Sequence, residues 1–63
     1  MRYAVYFTWK DGTEDNFNAD SRAERDTDIK EMIARDDFKY IGYCKIYKDG
    51  EYGIIVDVLG RRF

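Results

Sequence analysis

Apolar and polar positions alternate along residues 2–9 (RYAVYFTW), with Tyr3, Val5, Phe7 and Trp9 on one side and Arg2, Ala4, Tyr6 and Thr8 on the other. A period of two is the mark of a half-buried strand. Lys10-Asp11-Gly12 then signals a turn, and residues 13–19 read as a more polar second strand carrying Phe17. A two-residue loop would put Phe17 opposite Tyr6, on the wrong face. A three-residue loop with Gly12 in the left-handed region pairs Val5 with Phe17 and Tyr3 with Ala19, and keeps the apolar positions together.

The period changes after Asp20. Ser21 with Glu24 three residues on is a capping-box pattern, and no helix breaker occurs before about Arg35. Ile29, Met32 and Ile33 form a short apolar stripe, with Ala23 and Phe38 near its ends and Arg25 on the side of Ile29. Arg22–Asp26, Asp26–Lys30 and Glu31–Arg35 are spaced for ion pairs along this helix. Residues 38–48 and 51–59 return to alternation about Lys48-Asp49-Gly50. The same turn there pairs Ile46 with Tyr52, Cys44 with Ile54, Gly42 with Val56 and Tyr40 with Val58. Trp9-Lys-Asp-Gly and Tyr47-Lys-Asp-Gly are a faint repeat, for which shared turn chemistry is a sufficient cause.

The pattern therefore predicts an α+β fold for residues 1–63: a two-layer ββαββ unit with a mainly antiparallel four-stranded sheet and one helix on one face. Tyr3, Val5, Phe7, Phe17, Cys44, Ile54, Val56 and Val58 are expected beneath the helix, with Tyr40 and Tyr52 in the same layer and Cys44 as a small core residue. The polar second strand belongs at an edge, where Glu14, Asp15, Asn16 and Asn18 discourage further pairing. The strand order stays open, and Gly60-Arg61-Arg62-Phe63 is expected to leave the sheet.

Composition narrows the chemistry. The chain has no histidine, one cysteine and one serine, which removes the usual general base and any Ser-His or Cys-His nucleophile pair. The carboxylates at Asp11, Glu14, Asp15, Asp36 and Asp37 lack the cleft that would split their pKa values. No glycine pattern cradles phosphate. The reading is a non-enzymatic protein with no cofactor and no metal, of cytoplasmic type because nothing resembles a membrane span, a signal segment or a disulfide framework. Eleven basic against thirteen acidic residues leave a net charge of −2, which argues against general nucleic-acid binding.

One helix covers one sheet face, so Tyr6, Ile41, Tyr43, Tyr47, Ile55 and Leu59 are expected on the other. That face reads either as a solvated sheet or as a partner or homodimer interface, which a chain this small would gain burial from. A third reading is a base-stacking platform for single-stranded nucleic acid, with Arg2, Lys39 and Lys45 meeting phosphates. Arg22 and Arg25, one turn apart near the helix N-terminus, are candidates for anion binding.

Residues 6–15 (Tyr-x-x-Trp-Lys-Asp-Gly-Thr-Glu-Asp), 25–32 (Arg-Asp-x-x-Ile-Lys-Glu-Met) and 43–47 (Tyr-Cys-Lys-Ile-Tyr) resemble a group of short uncharacterised bacteriophage and prophage proteins of Gram-positive bacteria. The resemblance implies a small phage protein in the bacterial host cytoplasm. It also implies action by binding and modulating a host or phage macromolecule, inhibition of host defence included. A structural accessory of a larger assembly is an alternative reading.

Overall fold

The computed structural model describes residues 2–60. The first alternating run becomes β1 (Arg2–Trp9), the polar run β2 (Glu14–Ala19), the capped run α1 (Arg22–Arg35), and the second alternating region β3 (Phe38–Ile46) and a brief β4 (Val56–Asp57). Ser21 caps α1 by accepting from the Glu24 amide at 3.1 Å, while the Glu24 carboxylate accepts from the Asp20 amide at 3.1 Å. The first bond satisfies a donor that a helix start leaves open, and the second ties the residue before the cap to the first turn. Asp36 ends the helix at φ 55° in the left-handed region. None of the ion pairs expected along α1 forms among the described residues. Asp26 instead pairs with Arg25, and Arg35 turns to Asp37.

Among the described residues the sheet has the order β2-β1-β3-β4, with every neighbouring pair antiparallel. β2 lies at an edge as expected, and α1 crosses over β1 to connect β2 with β3. The first hairpin has the anticipated register, with Val5 opposite Phe17 and Tyr3 opposite Ala19. Its turn is closed by Trp9 N–H to Thr13 O at 2.8 Å and Gly12 N–H to Trp9 O at 2.9 Å. The second turn repeats the arrangement, with Tyr47 N–H to Glu51 O and Gly50 N–H to Tyr47 O, both at 2.9 Å. Asp11 and Asp49 each accept from the amide two residues on, and Gly12 and Gly50 adopt φ of 94° and 88°. The repeated tripeptide thus folds twice into the same turn.

Two irregularities change which side chains face the helix. Thr8 pairs with Tyr40 but Trp9 pairs with Phe38, so Lys39 is an extra residue that inverts the alternation of β3. Phe38 stays on the helix side, and Ile41 and Tyr43 join it opposite Phe7 and Val5. Tyr40, Gly42, Cys44 and Ile46 go to the open face. The second slip lies between Tyr52, which pairs with Ile46 as expected, and Val56, which pairs with Tyr43 rather than Gly42. It returns Val56 and Val58 to the helix side.

Val5, Phe7, Ile29, Met32, Phe38 and Ile41 form the core beneath α1, with Trp9, Phe17, Tyr43, Val58 and Leu59 packed against it. Phe7 is the hub of an aromatic row, its ring 5.9 Å from Phe17, 5.4 Å from Phe38 and 5.5 Å from Trp9. Ile33 and Ala23, expected on the buried stripe, are exposed; Arg25, Ile29 and Met32 are the buried positions of α1. Gly60 lies beyond the strands, as expected, and the departure expected for Arg61, Arg62 and Phe63 falls outside the described residues.

Candidate functional site

The bulge at Lys39 divides the expected interface between the two sides of the sheet. Of its six residues, Tyr6 and Ile55 face the open side. Ile41 is fully buried in the helix-side core, and Tyr43 and Leu59 pack against that core. Leu59 is drawn there because Asp57 Oδ1 accepts from the Leu59 and Gly60 amides at 3.1 and 2.8 Å, a turn that ends the alternation. Tyr47 lies on the helix side near Gly53.

The open face gains Tyr40 and Tyr52, both expected in the helix layer. Its floor is a second cluster of Ala4, Cys44 and Ile46, against which Tyr6 packs. Cys44 is therefore buried beneath the tyrosines and not beneath the helix. Burial, with Cys44 as a further contributor, raises the pKa of the Tyr6 hydroxyl above the ordinary tyrosine value. Gly42 lies in the same layer because a Cβ there would fall onto the Tyr40 hydroxyl and come within 3.0 Å of Ile55 Cγ2. Above this floor Tyr52 and Ile55 stand 63% and 51% exposed. Towards β2 the face opens into a concavity of about 450 Å³ between Tyr6, Tyr40, Thr8, Glu14 and Asn16.

A second candidate lies on the helix side, beyond the footprint of α1. The helix packs on β1, β2 and β3 and, among the described residues, does not reach β4. The uncovered strip is a groove of about 340 Å³ between the first turns of α1 and residues 53–56. Tyr3, Tyr43, Tyr47, Arg22, Arg25 and Lys45 line it, with Ile54 and Val56 as its outer wall.

Both arginines singled out from the sequence thus reach one site, but in different states. Arg25 is only 9% exposed. Its guanidinium lies between two rings, 4.6 Å from the centroid of Tyr3 and 4.2 Å from that of Tyr43, and it donates to Asp26 Oδ1 from Nε and Nη2 at 2.8 and 2.6 Å. This cation is committed to holding the helix onto the sheet. Arg22 is exposed and, among the described residues, has no ion-pair partner. Lys45 has none either, and its ammonium lies 5.5 Å over the Tyr47 ring.

The sequence contains a signal for this edge. Ile54-Ile55-Val56 is an unbroken β-branched run, which strict alternation cannot place on one face. A bulge resolves it by pushing Ile54 outward to 90% exposure. Comparison with protein-family models, with curated proteins and with solved structures finds no match for the chain.

Proposed function

We propose that the chain is a small, non-enzymatic protein-binding module that self-associates through the open face of its sheet, with Tyr6, Tyr40, Tyr52 and Ile55 at the centre of the contact. The observation that carries this reading is a tyrosine and isoleucine layer, exposed at Tyr52 and Ile55, over a buried apolar floor on the face that α1 leaves uncovered. Aromatic-rich apolar patches of this kind are typical of interface centres. A stable interface removes about 800 Å² per partner, under a fifth of the 4493 Å² that this chain exposes. In the phage setting that the sequence resemblance implies, such a module works in the host cytoplasm by occupying the surface of a host macromolecule, with defence proteins among the targets.

Sedimentation velocity tests the self-association. The native chain is expected to sediment as a dimer, and Tyr52→Arg with Ile55→Glu as a folded monomer. A monomeric native chain at high protein concentration overturns the reading.

A further inference from the structure

We propose that the groove between α1 and β4 is a docking site for an acidic segment of a partner protein, one in which carboxylates alternate with apolar side chains. The proposal rests on the reading of the chain as a protein-binding module but uses the side of the sheet opposite the self-association face.

Charge distribution is the first argument. The chain is net acidic, with thirteen acidic side chains against eleven basic residues, yet among the described residues the groove is lined by Arg22, Arg25 and Lys45 and by no acidic side chain. Asp26 matches Arg25 at 2.6 Å, so the cations left to an incoming anion are Arg22 and Lys45. An Arg or Lys meeting a carboxylate makes a charge-assisted hydrogen bond, and a segment that covers the groove excludes water from that pair. The acidic remainder of the surface repels a long polyanion, which disfavours a nucleic-acid strand that must extend beyond the groove.

The wall facing those cations is the second argument. Ile54 and Val56 line it, Ile54 being almost wholly exposed, and a phosphodiester backbone has nothing to bury against them. An alternating acidic and apolar segment does, because it directs carboxylates to Arg22 and Lys45 and aliphatic groups to Ile54 and Val56. The Tyr3 and Tyr43 rings, held by the Arg25 guanidinium, give the groove a floor fixed before anything binds, which lowers the ordering cost.

Fluorescence anisotropy with the full chain and a labelled eight-residue peptide alternating Glu with Val tests this. Saturable binding is expected at low salt, weakening as salt rises, with no binding of the matched Lys-Val peptide. Arg22→Gln with Lys45→Gln, both surface changes, should weaken binding at least tenfold, and Ile54→Asp should do the same, each with an unchanged far-ultraviolet circular dichroism spectrum. Absence of saturable binding, equal binding of the two peptides, or full affinity in the glutamine variant overturns the proposal. Binding of single-stranded oligothymidylate in place of the peptide overturns it too. The glutamine variant should keep the native sedimentation mass and the Tyr52→Arg, Ile55→Glu variant should keep peptide affinity, so failure at either face is read separately.

Discussion

Replacing Arg25 tests how a buried cation can hold a helix on a sheet. Three contributions are lost together in Arg25→Ala. The ring contacts at 4.6 and 4.2 Å are each worth about 0.5–1 kcal/mol, more where water is excluded. The pair with Asp26, whose side chain is 57% exposed, adds only about 0.5 kcal/mol because solvent screens it. The aliphatic stem, buried with the rest of the residue, contributes about 0.8 kcal/mol for each methylene removed from water. Arg25→Met keeps most of the stem and removes the charge, so it is expected to cost about 1.5–2.5 kcal/mol, and Arg25→Ala about 3–4 kcal/mol. A core of this size supplies about 3–5 kcal/mol in total. The alanine chain should therefore keep at most about 2 kcal/mol and populate the unfolded state measurably at room temperature, while the methionine chain folds with a lower urea midpoint. Urea titration followed by tryptophan fluorescence reads both, and Arg25→Lys should fall between methionine and native. A methionine variant within about 0.5 kcal/mol of native would refute the cation sandwich, because the buried stem alone would then account for what Arg25 contributes.

Two further outcomes follow from the open face. Gly42→Ala must displace Tyr40 and press on Ile55, so it is expected to cost about 1–3 kcal/mol in urea unfolding; in a double-mutant cycle Tyr40→Ala should recover part of that loss, and strict additivity would exclude the contact. The raised pKa of Tyr6 stabilises the fold fully below the ordinary tyrosine value and loses that contribution as pH climbs from about 10 through the folded-state value. Alkaline stability curves should thus be flatter for Tyr6→Phe than for the native chain, and superimposable curves would deny the shift.

How much of this was legible in the sequence depended on whether local turn chemistry or tertiary pairing set the register. The first hairpin was fully legible, because Asp11 and Gly12 specify a three-residue turn and Val5 with Phe17 has one apolar solution. The helix was legible from Ser21 and Glu24. β3 was not, because both of its sides carry apolar residues: Tyr40, Cys44 and Ile46 on one, Ile41 and Tyr43 on the other. Periodicity cannot choose between two apolar faces. The choice is made by the pairing of β3 with β1, which brings Ile41 opposite Phe7 and Tyr43 opposite Val5, and a single bulge at Lys39 reconciles it with Phe38.

That inversion also explains why the functional surfaces differ from the expected one. Strict alternation gathers the surplus aromatics onto one exposed face, whereas the bulged sheet spends Ile41 and Tyr43 on the helix side and leaves Tyr40 and Tyr52 outside it. Moving Tyr43 under α1 supplies the second ring that encloses Arg25, and enclosing Arg25 fixes the N-terminal half of a helix whose apolar stripe is otherwise short. The compensating slip at Ile54-Ile55 then carries Val56 back to the helix side and pushes Ile54 into solvent. The groove therefore has its tyrosine floor and its apolar wall from two one-residue irregularities. A deletion of Ile55 makes the Tyr43–Val56 and Gly42–Asp57 pairs continuous with Ile46–Tyr52 and brings Ile54 opposite Cys44 on the open face. Binding of the Glu-Val peptide should weaken, with the β1–β3 core and the circular dichroism spectrum intact.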